Sequence, residues 1–145
     1  MNQVLVVAAH PDDEVLGCGG TIARHADSGD QVQVVIIAEG STSRQQQRDR
    51  SQVVDELSAL AKAAQAAGSI LGAAGVELLD LPDNRLDSLD RLDLIKQIEE
   101  RIDRHKPQVV YVHHVGDVNV DHRRLHEAVV TACRPTPGHV VKRLL

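Results

Sequence analysis

Aromatic residues are almost absent from this chain, which has one Tyr and neither Phe nor Trp among its 145 residues. Any core must therefore be built from the aliphatic residues that dominate its 42% hydrophobic content. A chain of this length fits one domain that buries about 68–70% of its unfolded surface. An aliphatic core of this size favours a layered α/β fold over an aromatic-rich all-β fold.

Long hydrophobic runs and clustered positive charge are also missing. No stretch reaches the roughly 18–20 apolar residues of a membrane-spanning helix, and no basic segment precedes the first apolar run. We therefore expect neither membrane insertion nor an export signal. The formal net charge is −5, and the basic residues are scattered, so the sequence argues against a nucleic-acid partner.

Cysteine is scarce as well, with only Cys18 and Cys133 in the whole chain. They are far apart, and neither forms part of a C-x-x-C pair or another recognised metal-binding spacing. A disulfide framework is therefore excluded as the basis of the fold. We interpret both residues as buried small hydrophobes of a reduced, cytoplasmic protein.

Short β-branched runs alternate with stretches of helical spacing along the chain. We predict strands at residues 4–9, 31–38, 76–79 and 109–113, a strand beginning at 140–145, and helices at 13–28, 44–67, 89–105 and 121–133. Such alternation, with right-handed crossovers, is typical of a Rossmann-like fold. The expected architecture is a three-layer α/β/α domain with a mostly parallel sheet.

Two densely polar loops follow the first and the fourth predicted strands, at residues 10–14 and 113–122. Ligands of open α/β sheets bind beyond the carboxyl ends of the strands, so these loops are the best candidates for a site. Histidine and aspartate are ligands of catalytic zinc, and a divalent cation would relieve the repulsion between neighbouring carboxylates. A lone Asp here could equally be a helix N-cap, and a lone His could simply be hydrogen-bonded. The residues alone leave both interpretations open.

The motif His10-Pro11-Asp12-Asp13-Glu14, which continues as Val15-Leu16-Gly17-Cys18-Gly19-Gly20-Thr21, resembles the signature of the PIG-L/LmbE-like zinc de-N-acetylases. The later segment Asn119-Val120-Asp121-His122 resembles the His-x-Asp-His segment of that family. Between them, residues 81–86 resemble a stretch of its bacterial members. The resemblance extends over about residues 3 to 138.

The resemblance implies that His10, Asp13 and His122 bind Zn²⁺, with another divalent metal as the alternative, and that Asp12 is the general base. It also implies an N-acetylated amino sugar or glycoconjugate as the substrate, from which acetate leaves. The chemistry suits these residue types, because zinc activates water and a neighbouring carboxylate can take its proton.

The chain departs from the family pattern where Asn119 stands in place of a histidine that assists the oxyanion or the leaving amine. Asparagine can donate a hydrogen bond to an oxyanion but cannot act as an acid. We expect His114 to be able to replace that histidine, with Asp121 orienting whichever donor is used. Arg44 and Asp83 are candidates for binding substrate hydroxyls or an anionic group, although both could be structural.

The family pattern also implies further elements after the turn at residues 134–138. We therefore expect residues 1–145 to form a single LmbE-like deacetylase domain that lacks its C-terminal elements. An unpaired strand at residues 140–145 would then expose hydrogen-bonding groups, which predicts self-association into a homo-oligomer.

Two other interpretations concern the glycines and the overall function. Residues 17–20 could suggest a dinucleotide loop, but the spacing is wrong and the preceding acidic residues would repel phosphate. Close packing of a helix on the sheet is the preferred explanation. The segment 44–50 is interpreted as a solvated helix start. The alternative to an enzyme is a non-catalytic Rossmann-like module that binds a nucleotide or a sugar.

Overall fold

The computed structural model describes all residues from Met1 to Leu145. Five strands and four α-helices alternate along most of the chain. The strands are β1 (Gln3–Ala8), β2 (Gln31–Ala38), β3 (Gly75–Leu81), β4 (Val109–Tyr111) and β5 (Arg143–Leu144), and the helices are α1 (Asp13–Asp27), α2 (Val54–Leu71), α3 (Arg91–His105) and α4 (Val120–Ala132).

All five strands are parallel and lie in the order β3-β2-β1-β4-β5. The chain moves outward from β1 to β3 and then returns to the other side of β1 with β4. The point where the strand order reverses therefore lies between β1 and β4, which is where α/β sheets of this type bind ligands. The predicted three-layer Rossmann-like fold is confirmed, with a fully parallel sheet.

The core is divided by the sheet into two layers of aliphatic side chains. Successive residues of a strand point to opposite faces, so the central strand β1 contributes to both layers. Val4, Val6 and Ala8 pack with Ile22 of α1 and Ala64 of α2. On the other face, Leu5 and Val7 pack with residues of α3 and α4, among them Leu94, Ile98, Leu125 and Val129.

The helix α2 begins at Val54 and not at residue 44 as its pattern predicts. The preceding segment contains two short 3₁₀ turns, and two of its three arginines bind a buried carboxylate while remaining exposed. Arg48 and Arg50 approach the oxygens of Glu39 at 2.8 and 2.9 Å. Residues 44–50 are therefore mostly exposed, as predicted, but their interpretation as a helix start is wrong, because ion pairing to the end of β2 competes with helix formation.

The C-terminal segment is paired, contrary to the expectation of an unpaired strand. Val109 and Val110 of β4 face Arg143 and Leu144 in a parallel ladder. The glycines at 17–20 lie inside α1, where a methyl group added at Gly19 would contact Leu71 of α2 and one added at Gly17 or Gly20 would meet open space. Only Gly19 therefore packs closely, and its contact is with a second helix and not with the sheet.

The remaining global expectations concern cysteine and the membrane. Cys133 is buried and Cys18 half-buried, and neither forms a disulfide. Burial raises the pKa of the Cys133 thiol to about 11. None of the helices has the length and the apolar character needed to cross a membrane.

Candidate metal centre and its cavity

The carboxyl ends of β1 and β4 deliver the two polar loops to one place. Val6 pairs with Tyr111, so His10 and His113 lie beyond the ends of adjacent strands. The resulting cavity has a volume of about 770 Å³. Its lining is largely polar and includes His10, Asp12, Asp13, Ser41, Ser43, Arg44, Glu56, Asp83, Asn84, Asn119 and His122.

Asp13 lies at the centre of a cluster of possible metal ligands. Its Oδ2 atom is 3.2 Å from Nδ1 of His10 and 3.1 Å from Nε2 of His122. The backbone N–H of His10 also donates to this oxygen, at 2.9 Å. The turn between β1 and α1 therefore fixes the carboxylate of Asp13 relative to His10, and α4 brings His122 to the same oxygen.

The hydrogen bonds of His122 show which of its nitrogens is free. Nδ1 lies 3.0 Å from Oδ2 of Asp117, so this nitrogen carries the proton and donates it to the carboxylate. Nε2 is buried and has no hydrogen-bond partner, although the carboxylate of Asp13 is close. A buried nitrogen without a hydrogen-bond partner beside a carboxylate oxygen is a favourable place for a cation.

His10 is oriented in a corresponding way by two buried carboxylates. Its Nε2 lies 3.0 Å from Oδ2 of Asp121 and 3.3 Å from Oδ1 of Asp83, which leaves Nδ1 directed at Asp13. Burial lowers the pKa of His10, but the hydrogen bonds to Asp121 and Asp13 outweigh that effect and raise it to about 10. The site thus attracts a cation, either a proton on His10 or a metal ion that replaces it.

The donor set fits a divalent metal. The ligand atoms of His10, Asp13 and His122 all lie within 4.8 Å of one another. Zinc holds nitrogen and carboxylate ligands at about 2.0–2.2 Å in a tetrahedron, which places neighbouring ligand atoms about 3.4 Å apart. Separations of 3.1 and 3.2 Å around Asp13 are close to that value. The structure therefore brings the three predicted ligands together in a suitable geometry.

Asp12 lies beside these ligands with its side chain uncommitted. It occupies the N-cap position of α1, yet its carboxylate makes no capping hydrogen bond. Burial, followed by the negative charge of Asp13, raises the pKa of Asp12 above its usual range. A free carboxylate of raised pKa at the wall of a cavity can accept a proton during a reaction.

His113 is a residue of the site that sequence reasoning missed. Its Nε2 accepts a hydrogen bond from the backbone N–H of Ala9 at 2.9 Å, and its ring stacks on His122 with 3.7 Å between the centroids. Burial and the neighbouring His122 lower the pKa of His113 to about 4. The period-two alternation of the predicted strand at 109–113 could have revealed it, because that alternation puts His113 on the same face of the sheet as Tyr111.

His114 does not occupy the position predicted for it. Its side chain is exposed, lies outside the 770 Å³ cavity, and accepts a hydrogen bond from the backbone N–H of Gly116. Asn119 does line the cavity, but its carbonyl oxygen caps α4 by accepting from Asp121 and His122. Its amide nitrogen donates to Asn84 at 3.1 Å. This geometry does not place His114 where it could replace the family histidine, contrary to the prediction.

The structure also corrects the role predicted for Asp121. This carboxylate is fully buried and orients His10, not Asn119 or His114. It also accepts the backbone N–H groups of Asn84 and Leu86 at 2.7 and 2.9 Å. Asp121 thereby ties the loop after β3 to His10.

Asp83 and Arg44, both predicted to bind substrate, differ in their availability. Asp83 is 3% exposed, accepts from the backbone of Ser43 and approaches His10, so it supports the cavity wall. Arg44 is exposed at the cavity and forms no hydrogen bond or ion pair within the structure. Its loop is held by the buried Glu39, which also accepts from Thr42 at 2.5 Å. Arg44 is therefore a positively charged side chain of the cavity wall that is free to contact a ligand.

Comparison with known proteins gives the same family as the motifs. Residues 5–133 match the family PIG-L, GlcNAc-PI de-N-acetylase. The chain belongs to the PIG-L family. It is 31% identical over 139 residues to the uncharacterized deacetylase YaiS of Escherichia coli (strain K12), covering 92% of this chain and 69% of that protein.

Two further relatives show the range of activities within the PIG-L fold. The chain is 31% identical over 165 residues to a 1D-myo-inositol 2-acetamido-2-deoxy-alpha-D-glucopyranoside deacetylase of Saccharopolyspora erythraea, covering 93% of this chain and 54% of that protein. The structure superposes with a TM-score of 0.74 and 31% identity on GalB, the 4-carboxy-2-hydroxymuconate hydratase of Pseudomonas putida KT2440, covering 91% of this chain and 55% of that chain. The chain thus spans little more than half the length of these two relatives.

Proposed function

We propose that this chain hydrolyses the N-acetyl group of an amino-sugar compound with the help of one divalent metal, zinc, held by His10, Asp13 and His122. The observation that supports this most strongly is the convergence of two imidazole nitrogens on Asp13 beside the uncommitted carboxylate of Asp12. Two histidines, one carboxylate and an open position form the donor pattern of catalytic zinc. The relatives named as deacetylases supply the reaction class.

A metal bound there supplies Lewis acidity, which activates a water molecule and polarises the amide carbonyl. Asp12 accepts the proton of the attacking water, because its carboxylate is free and adjacent to the ligands. No histidine other than the two ligands lines the cavity, so Asp12 also returns the proton to the leaving amine nitrogen. Acetate and a free amine are the products.

The other residues of the cavity position the substrate in this proposal. Asn119 keeps one amide N–H beyond the bond to Asn84, and that N–H can stabilise a developing oxyanion. Arg44 is free to bind a sugar hydroxyl or an anionic substituent. Asp83 and Asp121 act indirectly by fixing the ring of His10.

Two alternatives are separated from this proposal by the reaction itself. The relatives named above are enzymes, so they give no support to a non-catalytic binding module. The match to the GalB hydratase, at the same 31% identity as YaiS, favours addition of water to a carbon–carbon double bond as a second candidate. Both candidates require an activated water, but only amide hydrolysis releases an amine.

The test is release of acetate and amine from a panel of N-acetylated amino sugars and their conjugates. Protein treated with a chelator should be inactive, and addition of zinc should restore turnover more fully than addition of magnesium. A hydroxymuconate substrate in the same panel tests the hydratase candidate. Undiminished amide hydrolysis after complete metal removal, or water addition without any amide hydrolysis, would contradict the proposal.

A further inference from the structure

A second cavity, almost entirely apolar, adjoins the metal centre between α1 and α2. Its volume is about 280 Å³, close to the smallest sites that hold organic ligands. Pro11, Asp12, Leu60 and Ala63 line both this groove and the polar cavity. The two spaces therefore adjoin at these four residues, and together they are called the trough here.

The helix α2 forms one wall along the whole trough. Glu56, at the polar end, accepts a hydrogen bond from Ser41, whereas Ala64 and Ala67 lie at the apolar end. Ala67 lies eleven positions after Glu56 in the helix, which corresponds to about 16 Å along its axis. Alanines on this wall leave room that larger side chains would fill.

The opposite wall of the groove exposes aliphatic side chains of α1. Leu16 is 80% exposed and Val15 is 41% exposed, although both border the cavity. The only charged groups in the lining are Asp12 and Glu14, and Glu14 is buried and bonded to the backbone of Asp12. Beyond Asp12, the groove therefore offers an incoming ligand nothing but apolar contacts.

From this trough we infer that the substrate carries an aliphatic N-acyl chain longer than acetyl, which lies in the groove between α1 and α2. The inference rests on the proposed function, because the amide must lie beside Asp12. Polar groups that can bind a sugar, among them Ser43 and Arg44, line the polar cavity and not the groove. With the sugar in the polar cavity, the acyl carbon faces Asp12 and its chain continues along Leu60 and Ala63.

Hydrolysis of such an amide requires no additional reactant. The C–N bond breaks, a C–O bond forms to water, and the products are an aliphatic carboxylate and the free amine. Full burial of one methylene is worth a factor of about four in binding. Since the groove is open on one side, we expect about a twofold rise in kcat/KM for each added methylene.

The test measures amine release from N-acetyl-, N-butanoyl- and N-hexanoylglucosamine by the zinc-loaded chain. N-Hexanoylglucosamine carries four more methylenes than N-acetylglucosamine, so we expect it to exceed the acetyl compound in kcat/KM by about 15-fold. Equal or falling values along the series would overturn the inference and leave the proposed function intact. No amine from any of the three compounds would overturn both.

Three variants locate the effect in the groove. Ala67→Leu narrows its far end and should lower kcat/KM for the hexanoyl compound about fivefold while leaving the acetyl compound unchanged. Ala66→Leu is the matched control, because Ala66 is exposed and lines neither cavity, and it should change neither substrate. Leu16→Ser, at an exposed position, should lower the hexanoyl value about twofold.

Two outcomes would assign the groove differently. Equal losses for both substrates in Ala67→Leu, together with no loss for the hexanoyl compound in Leu16→Ser, would mean that the groove gives no selectivity for acyl length. A chain-length-independent rate, together with a dimer in gel filtration that Leu16→Ser dissociates, would make the groove an interface between copies. Either result overturns the inference.

Discussion

The turn between β1 and α1 and the loop that leads into α4 both position proposed metal ligands, but they are built in different ways. In the short turn, backbone hydrogen bonds join His10 to Asp12 and Asp13, so sequence spacing almost dictates geometry. In the longer loop, side chains fix the backbone: Asp117 accepts from the N–H of Asn119, and Asn119 caps α4. Residue identity in the long loop therefore does not reveal which side chain faces the cavity.

The largest effect is expected in the short turn, from Asp12→Asn. The substitution removes the proton acceptor but keeps the size of the side chain and its backbone bonds. Turnover should fall by roughly 10²-fold or more, while the metal stays bound. Steady-state rates and elemental analysis of the same sample measure both. Loss of metal together with activity would make Asp12 a ligand and exchange its role with that of Asp13.

Asp121→Asn tests whether the long loop depends on side-chain contacts. The fully buried carboxylate accepts two backbone N–H groups and approaches His10. In the variant, an NH₂ group replaces one carboxylate oxygen, so a backbone N–H donor meets another donor instead of an acceptor. This loss should lower the free energy of unfolding by about 2–3 kcal/mol. Urea denaturation in the presence of a chelator isolates this effect from metal binding. An unchanged midpoint would show that the loop after β3 is held by other contacts.

His113→Ala and His114→Ala form a matched pair within the long loop. His113 stacks on the proposed ligand His122. Its truncation to Ala should lower the affinity for the metal by about 10- to 100-fold, the scale expected of groups that orient ligands. His114 is exposed, so its truncation to Ala should not measurably change the affinity for the metal. Competition with a chromogenic zinc chelator gives both affinities. A stronger effect at His114 would restore the role that the sequence suggested for it.

Glu39→Gln extends the comparison to the loop after β2, which contains no metal ligand. Burial raises the pKa of Glu39, but hydrogen bonds from Arg48 and Thr42 outweigh this and leave it lowered. A lowered folded-state pKa stabilises the protein above the unfolded value near 4.3, and that stability is lost as the pH falls through the folded value. The variant should be less stable by about 1–2 kcal/mol at pH 7. Thermal melts should show the difference closing below about pH 4. A constant difference across that range would exclude the ion pairs as its cause.

The features that the sequence predicts correctly are those determined by the local pattern of apolar and polar residues. The run of residues 4–9 is apolar on both faces because β1 is central, and His10 and Asp13 follow it at fixed spacing. The start of α2 did not follow from local pattern, because it depends on ion pairs from Arg48 and Arg50 to Glu39. The roles of Asp121 and His113 also depend on partners more than 30 residues away in sequence.

The most direct test of the central claim is the metal content of the wild-type chain and of His122→Ala, measured by elemental analysis after dialysis against zinc. Nε2 of His122 is a buried nitrogen without a hydrogen-bond partner, directed at the carboxylate of Asp13. The wild-type chain should retain about one zinc ion, and the variant should retain almost none, because two protein ligands hold zinc poorly. Full zinc occupancy in His122→Ala would contradict the assignment of this site.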